Sequence, residues 1–140
     1  MLQPLEAVEG LGGLDGEAGH ARDERAQAAS ELYAAVLDAF RRGRFYIGLD
    51  ALAPADGFQF TVASREGRRF TMGDHVPPAE GLRAVAGGRV PAGTRLLLLR
   101  DGQAVGEGAG RLEAVLPGPG VYRVEARVPG WPVPWVLTNP

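Results

Sequence analysis

The stretch that most constrains this chain is residues 116–128, LPGPGVYRVEARV. Pro117-Gly118-Pro119-Gly120 makes a tight turn. After it Tyr122, Val124, Ala126 and Val128 alternate with Arg123, Glu125 and Arg127. A period of two places the first set on one face and the charged set on the other. That is a strand with one side in a core and one in water. Tyr122 has two readings. It is either an ordinary core residue or a corner residue whose hydroxyl bonds back to the turn that precedes it.

The rest of the chain repeats this grammar. Residues 44–49 alternate through Phe45, Ile47 and Leu49, and Phe58, Phe60 and Val62 follow after the turn at 53–57. Glu66-Gly67 marks a hairpin turn returning through Phe70 and Met72. Residues 73–81 form a loop, Leu82, Ala84 and Ala86 a half-buried strand, and residues 87–93 another loop. The run Leu96 to Leu99 reads as a central strand covered on both faces. Asp101-Gly102 is the strongest hairpin signal in the chain. It leads into residues 103–107, an edge strand weakened by Gly106 and Gly108, and then to Leu112, Ala114 and Leu116 facing inward. The prolines of residues 129–140 place that end at a sheet edge.

Ahead of the strands, residues 23–43 read as a helix. Leu32, Tyr33, Val36, Leu37 and Phe40 form its apolar stripe, Asp23 or Ser30 caps its start, and Gly43 stops it. Residues 1–22, with five glycines, read as a linker or mobile arm, although Leu2, Leu5, Val8 and Leu11 recur at a spacing that allows a loose helical turn. The expected architecture is all-β: an immunoglobulin-like Greek-key β-sandwich of seven to nine strands over residues 44–140, with one N-terminal α-helix.

Composition narrows function by exclusion. Apolar residues make up 45% of the 140 and charged residues 23%, so the chain can bury a core. All 15 basic residues are Arg against 17 acids, and a net charge of −2 gives no field that favours nucleic acid. There is no Cys, which removes thiolate catalysis, Cys-zinc sites and disulfides. No stretch approaches the roughly 20 apolar residues of a membrane helix, and residues 1–19 lack a signal-peptide pattern.

No catalytic or metal-binding set emerges, and no cofactor is expected. The two His residues, His20 and His75, match no ligand spacing. Asp50, Asp56 and Asp74 lie in loops where some sandwiches hold calcium, but without a dense Asp/Asn pattern they read as solvated turn carboxylates. Ser30 and Ser64 sit in no nucleophile elbow, and Gly10–Gly13 and Gly87-Gly88 lack the Lys and Ser/Thr of a phosphate loop. Arg65, Arg68 and Arg69 cluster on one hairpin, which reads as solvated rather than nucleic-acid-binding. Trp131 and Trp135 are candidate ligand or partner contacts. Burial is expected for Trp135, while Trp131 is left open.

Several stretches together resemble one family. Residues 37–50 (LDAFRRGRFYIGLD) resemble the helix, Arg-Gly-Arg, aromatic strand and Asp that follow the catalytic barrel in bacterial metallohydrolases of the polymerase-and-histidinol-phosphatase (PHP) superfamily, carbaryl-hydrolase-like branch. Residues 96–102 (LLLLRDG) and 120–125 (GVYRVE) resemble that family's later strands. Residues 134–140 (PWVLTNP) are similar to its closing Pro-Trp-x-x-Ser/Thr-Asn-Pro. None of the barrel's His and Asp ligand motifs occurs here, so no catalytic residue carries over. The resemblance implies a non-catalytic, immunoglobulin-like carboxyl-terminal domain of a metal-dependent phosphoesterase or hydrolase. Its partner would be the barrel of the same parent chain, with Tyr33, Val36, Leu37 and Phe40 as the contact. The competing expectation is a free-standing carbohydrate- or protein-binding sandwich that uses Trp131.

Overall fold

The computed structural model describes residues 14–140. The chain divides into two compact units, one ending at Asp38 and one running Ala39–Pro140. The loose turn expected through Leu2, Leu5, Val8 and Leu11 lies outside the described residues.

Helix α1 spans Leu14–Arg41. Residues 14–22, expected as part of the arm, are therefore helical, and Asp23 and Ser30 lie inside the helix rather than capping it. Each of Gly16 and Gly19 costs about 1 kcal/mol relative to Ala. Lengthening an existing helix avoids the nucleation cost, and Ala18, Ala21 and Arg22 are good formers that tolerate the two glycines. Contacts one turn apart add support: His20 Nε2 lies 3.1 Å from Glu24, and Gln27 Nε2 donates to Glu31 at 2.8 Å. The helix stops at Gly43, whose φ of +70° suits glycine. The Gly43 amide donates to the Phe40 carbonyl (3.1 Å) and the Arg44 amide to the Ala39 carbonyl (2.8 Å). This pair of bonds is a Schellman cap.

Nine strands follow: β1 (Tyr46–Gly48), β2 (Gln59–Ala63), β3 (Arg69–Thr71), β4 (Arg83–Gly87), β5 (Arg95–Arg100), β6 (Gln103–Ala109), β7 (Leu112–Val115), β8 (Tyr122–Arg127) and β9 (Val136–Thr138). They form two antiparallel sheets, β1-β9-β8-β5-β6 and β3-β2-β4-β7. The chain crosses between sheets after β1, β4, β6 and β7, so that β7 pairs with β4 and β8 with β5. This interlocking is a Greek-key β-sandwich. Register keeps inward residues opposite inward residues: Phe60 faces Ala86, Val62 faces Ala84, Leu96 faces Ala126 and Leu98 faces Val124. Together with Leu112 and Val136 these residues form one buried cluster drawn from both sheets. Small Ala opposite large Phe or Leu lets the two layers interdigitate.

The Asp101-Gly102 hairpin has φ of +50° and +85° at its two central residues, the type I′ pattern that matches strand twist. Asp101 also ties this hairpin to β8. Its amide donates to the Val121 carbonyl, and its Oδ1 accepts the Val121 amide, both at 2.9 Å. Arg100 Nε donates to the Pro119 carbonyl at 2.9 Å. The Tyr122 hydroxyl donates to the Gly118 carbonyl, four residues upstream, the back-bond that a tyrosine corner makes.

Three expectations change. In β1 the inward residue is Tyr46, while Ile47 is 63% exposed. A one-residue shift exchanges the faces of a strand, and Tyr46 has a partner to reach: its hydroxyl donates to the Ala55 carbonyl at 2.7 Å. The C-terminal segment is not at an edge, because β9 runs between β1 and β8. Its prolines lie outside Val136–Thr138, so the strand can pair on both sides. Gly106 and Gly108 are not simply weak points in edge strand β6. A Cβ on Gly108 would stand 2.0 Å from the Arg111 carbonyl oxygen, and one on Gly106 3.3 Å from Ala114 Cβ. Glycine lets β6 lean onto β7, which shields part of an open edge.

Gly108→Ala is therefore expected to destabilise the protein by about 1–3 kcal/mol through backbone overpacking. Gly19→Ala, at a helical position with nothing within 4 Å of the added carbon, is expected to stabilise α1 by up to about 1 kcal/mol. Thermal denaturation of the two variants followed by circular dichroism checks both signs.

Candidate functional site

Three surfaces stand out in the structure. The first is the apolar stripe of α1. Leu32 is 66% exposed, Tyr33 67% and Phe40 58%, Val36 is also exposed, and Leu37 is half-buried. Phe40 tilts against Phe45 with ring centroids 5.1 Å apart.

The second comprises the loop carboxylates and histidines. Two of the three acids, Asp50 and Asp74, are engaged in turns. Asp50 Oδ1 accepts the Ala55 amide at 3.0 Å. Asp74 Oδ2 accepts the Thr71 amide at 2.9 Å, and its Oδ1 accepts from Arg44 Nη2 at 3.1 Å. The Thr71 amide, helped by the Arg44 guanidinium, holds the Asp74 carboxyl below the usual aspartate range. His75 follows in the chain, exposed, and Asp74 directs neither oxygen to it. Ser64 Oγ accepts the Arg68 amide, and the Ser64 hydrogen bond lowers the Glu66 carboxyl. Ser64 is thus part of the β2–β3 turn and not a poised nucleophile. Among the described residues no group of three or more His, Asp or Glu converges on a common point.

The arginines of the first hairpin are exposed and separate in use. Arg68 lies over the Phe70 ring, 5.4 Å from its centroid. Arg65 covers Gly81, where an added Cβ would meet Nε at 2.2 Å. The tryptophans also separate. Trp135 is 1% exposed and its Nε1 donates to the Ala53 carbonyl at 2.8 Å, whereas Trp131 is 47% exposed.

The third surface was not foreseen. A cleft of about 900 Å³ opens at one end of the sandwich. Phe60, Val62, Phe70, Met72, Leu82 and Leu116 line its interior, and the 73–81 loop and the 118–122 turn flank it. Those residues come from well-separated segments, each of which reads only as a strand or a turn, so no local signal marks the cleft. A second cleft of about 550 Å³ lies beside Ile47, Val121, Arg123 and Leu137. Trp131 lines neither of these two clefts.

No protein-family model, curated protein or solved structure matches this chain. Among the described residues, no helix is long and apolar enough to cross a membrane.

The lowered pKa of Asp74 has a pH consequence. Its unfolded-state pKa is the higher one, so the unfolded chain binds more protons between the two values. The stabilisation is fully present above the ordinary aspartate pKa and is lost as pH falls through the lowered one. Asp74→Asn is expected to be less stable than the parent at neutral pH, with the difference closing in acid. Urea titrations across that range, compared for the two proteins, measure it.

Proposed function

We propose that this sandwich is an immunoglobulin-like, non-catalytic accessory domain of a PHP-type metal-dependent phosphoesterase or hydrolase. It would pack on the catalytic barrel and shape access to the active site. The observation that carries this reading is the exposed stripe Leu32, Tyr33, Val36 and Phe40 on α1. An apolar stripe of this kind on an otherwise polar helix favours a protein partner. In the arrangement the sequence resembles, this helix is the element that follows the barrel, which makes the barrel the natural occupant.

Strand order supports the immunoglobulin-like part. Setting β1 and β3 aside, β2-β4-β7 and β9-β8-β5-β6 correspond to strands A-B-E and G-F-C-C′ of that fold. The back-bond of Tyr122 to Gly118 then falls at the E–F corner. Fold alone assigns no activity, so the functional reading rests on the stripe and on the sequence resemblance.

A second reading, a free-standing carbohydrate- or protein-binding module, draws on Trp131, which is exposed beside exposed Val133 in the β8–β9 connection. An aromatic face with such freedom can stack on a sugar ring or anchor a partner.

Joining the chain to a PHP-type barrel from the same genome through a flexible linker distinguishes the two. Under the accessory-domain reading the attached sandwich changes the phosphoesterase kinetics, and Val36→Glu on the exposed helix face abolishes that change while leaving the sandwich folded. Phosphoesterase kinetics that are indifferent to the attached sandwich would overturn this reading. Glycan binding by the isolated chain, lost in Trp131→Ala with unchanged thermal stability, would establish the other.

A further inference from the structure

We infer that the 900 Å³ cleft is a binding site for a small, neutral, predominantly apolar molecule with one hydrogen-bonding end. The inference stands independently of the docking role of α1, since no residue of the stripe lines the cleft. The cleft falls within the size range of ligand pockets, roughly 300–1,000 Å³, and has the apolar lining typical of them.

The chemistry of the occupant follows from what the walls can offer. Three polar side chains of the walls already have partners within the protein. The Tyr122 hydroxyl donates to Gly118, Asn139 Nδ2 to the Gly43 carbonyl at 3.0 Å, and Asp74 holds Thr71 and Arg44. Among the described residues, no buried side-chain nitrogen or oxygen lacks a partner. A polar ligand body would thus lose its hydration without gaining hydrogen bonds, which disfavours it. An apolar body gains by leaving water.

Charge sets the remaining property. Two arginines (Arg41, Arg42) and two carboxylates (Asp74, Glu80) line the cleft, so their formal charges cancel. These four side chains supply no net charge to select an anion or a cation. His75 and Glu80, both exposed, remain to meet a hydroxyl or amide at the ligand's outer end. The frame is anchored. The Gly73 amide donates to the Pro140 carbonyl (2.7 Å), the Asp74 amide to the Thr71 carbonyl (3.1 Å), and Arg65 covers Gly81 at the far end of the loop.

The test uses N-phenyl-1-naphthylamine, a neutral apolar fluorophore, with 1-dodecanol as competitor. The expected result is saturable one-to-one binding displaced by the alcohol. Val76→Trp, which fills the loop side of the cleft, should weaken it at least tenfold, and Tyr33→Glu on the helix stripe should leave it unchanged. Methyl NMR of the unsubstituted protein supplies a readout that does not depend on the Trp variant folding: probe-induced shifts should concentrate at Val62, Val76, Leu82 and Leu116. Absence of saturable binding overturns the inference. So does binding lost in Tyr33→Glu, or shifts centred on Leu32 and Val36.

Discussion

The structure depends on one residue, Trp135. Its side chain is fully buried, stands edge-on to Phe58 with centroids 6.2 Å apart, and donates its indole N–H to the Ala53 carbonyl. Phe58 in turn meets Tyr46 edge-on at 6.0 Å, and Tyr46 donates to the Ala55 carbonyl. The connection from β1 to β2 is thereby held by two aromatic donors on its own carbonyls. The Trp135 backbone does the same for the sheet: its amide donates to Ala126 of β8 and its carbonyl accepts the Leu49 amide just beyond β1. A single residue thus joins the core, one long connection and the strands on either side of β9. Aromatic side chains bury about 150–250 Å² each. At about 25 cal/mol per Å² that is several kcal/mol, a large part of the roughly 5–15 kcal/mol by which a domain is stable. Trp135 is also where the edge assignment of the C-terminal segment fails, because the prolines around it shape the approach to β9 rather than the strand itself.

The polar residues follow the same structural logic. Asp50, Asp74 and Asp101 each accept a backbone amide at a turn, which explains why carboxylates recur at strand ends without converging on a site. On the outer face of β8, Glu125 is nearly buried between Arg127, whose Nη2 approaches to 2.6 Å, and Arg123 at 3.2 Å. A carboxylate this buried is tolerable because it is paired and hydrogen-bonded from both sides. Arginine is well suited to the task, since its planar fork can give Glu125 Oε2 two bonds from Arg127 alone. The sandwich uses its charges to fix turns and cover strands.

What was legible in the sequence was what local physics determines. Alternation fixed the inward faces of β2, β4, β7 and β8, and Asp-Gly fixed the β5–β6 hairpin, because both depend on neighbours in the chain. Gly43 was legible as a helix stop for the same reason. The inward face of β1 was not, because Tyr46 turns in to reach a carbonyl nine residues away. The role of Gly108 was not, because it answers to the backbone of another strand. The start of α1 was obscured by Gly16 and Gly19, whose local cost is outweighed by the length of the helix. The cleft was hidden most completely, since its walls are assembled only by the fold.

The energetics of the α1 stripe bear on the kind of partner it suits. Burying one large apolar side chain gains about 1.5–3 kcal/mol, so Leu32, Tyr33, Val36 and Phe40 together offer on the order of 10 kcal/mol or less. Association of two free molecules costs an estimated 4–15 kcal/mol in lost translational and rotational freedom. The two terms are comparable, so the stripe alone gives a marginal complex between diffusing proteins. A covalent connection changes the balance, because a short linker supplies an effective concentration near the millimolar range. The same four side chains then suffice to hold two domains in one orientation. A partner joined to this chain accordingly fits the size of the stripe better than a free one. A free partner would have to add contacts elsewhere, for which the exposed face around Ile47 and Val121 is available.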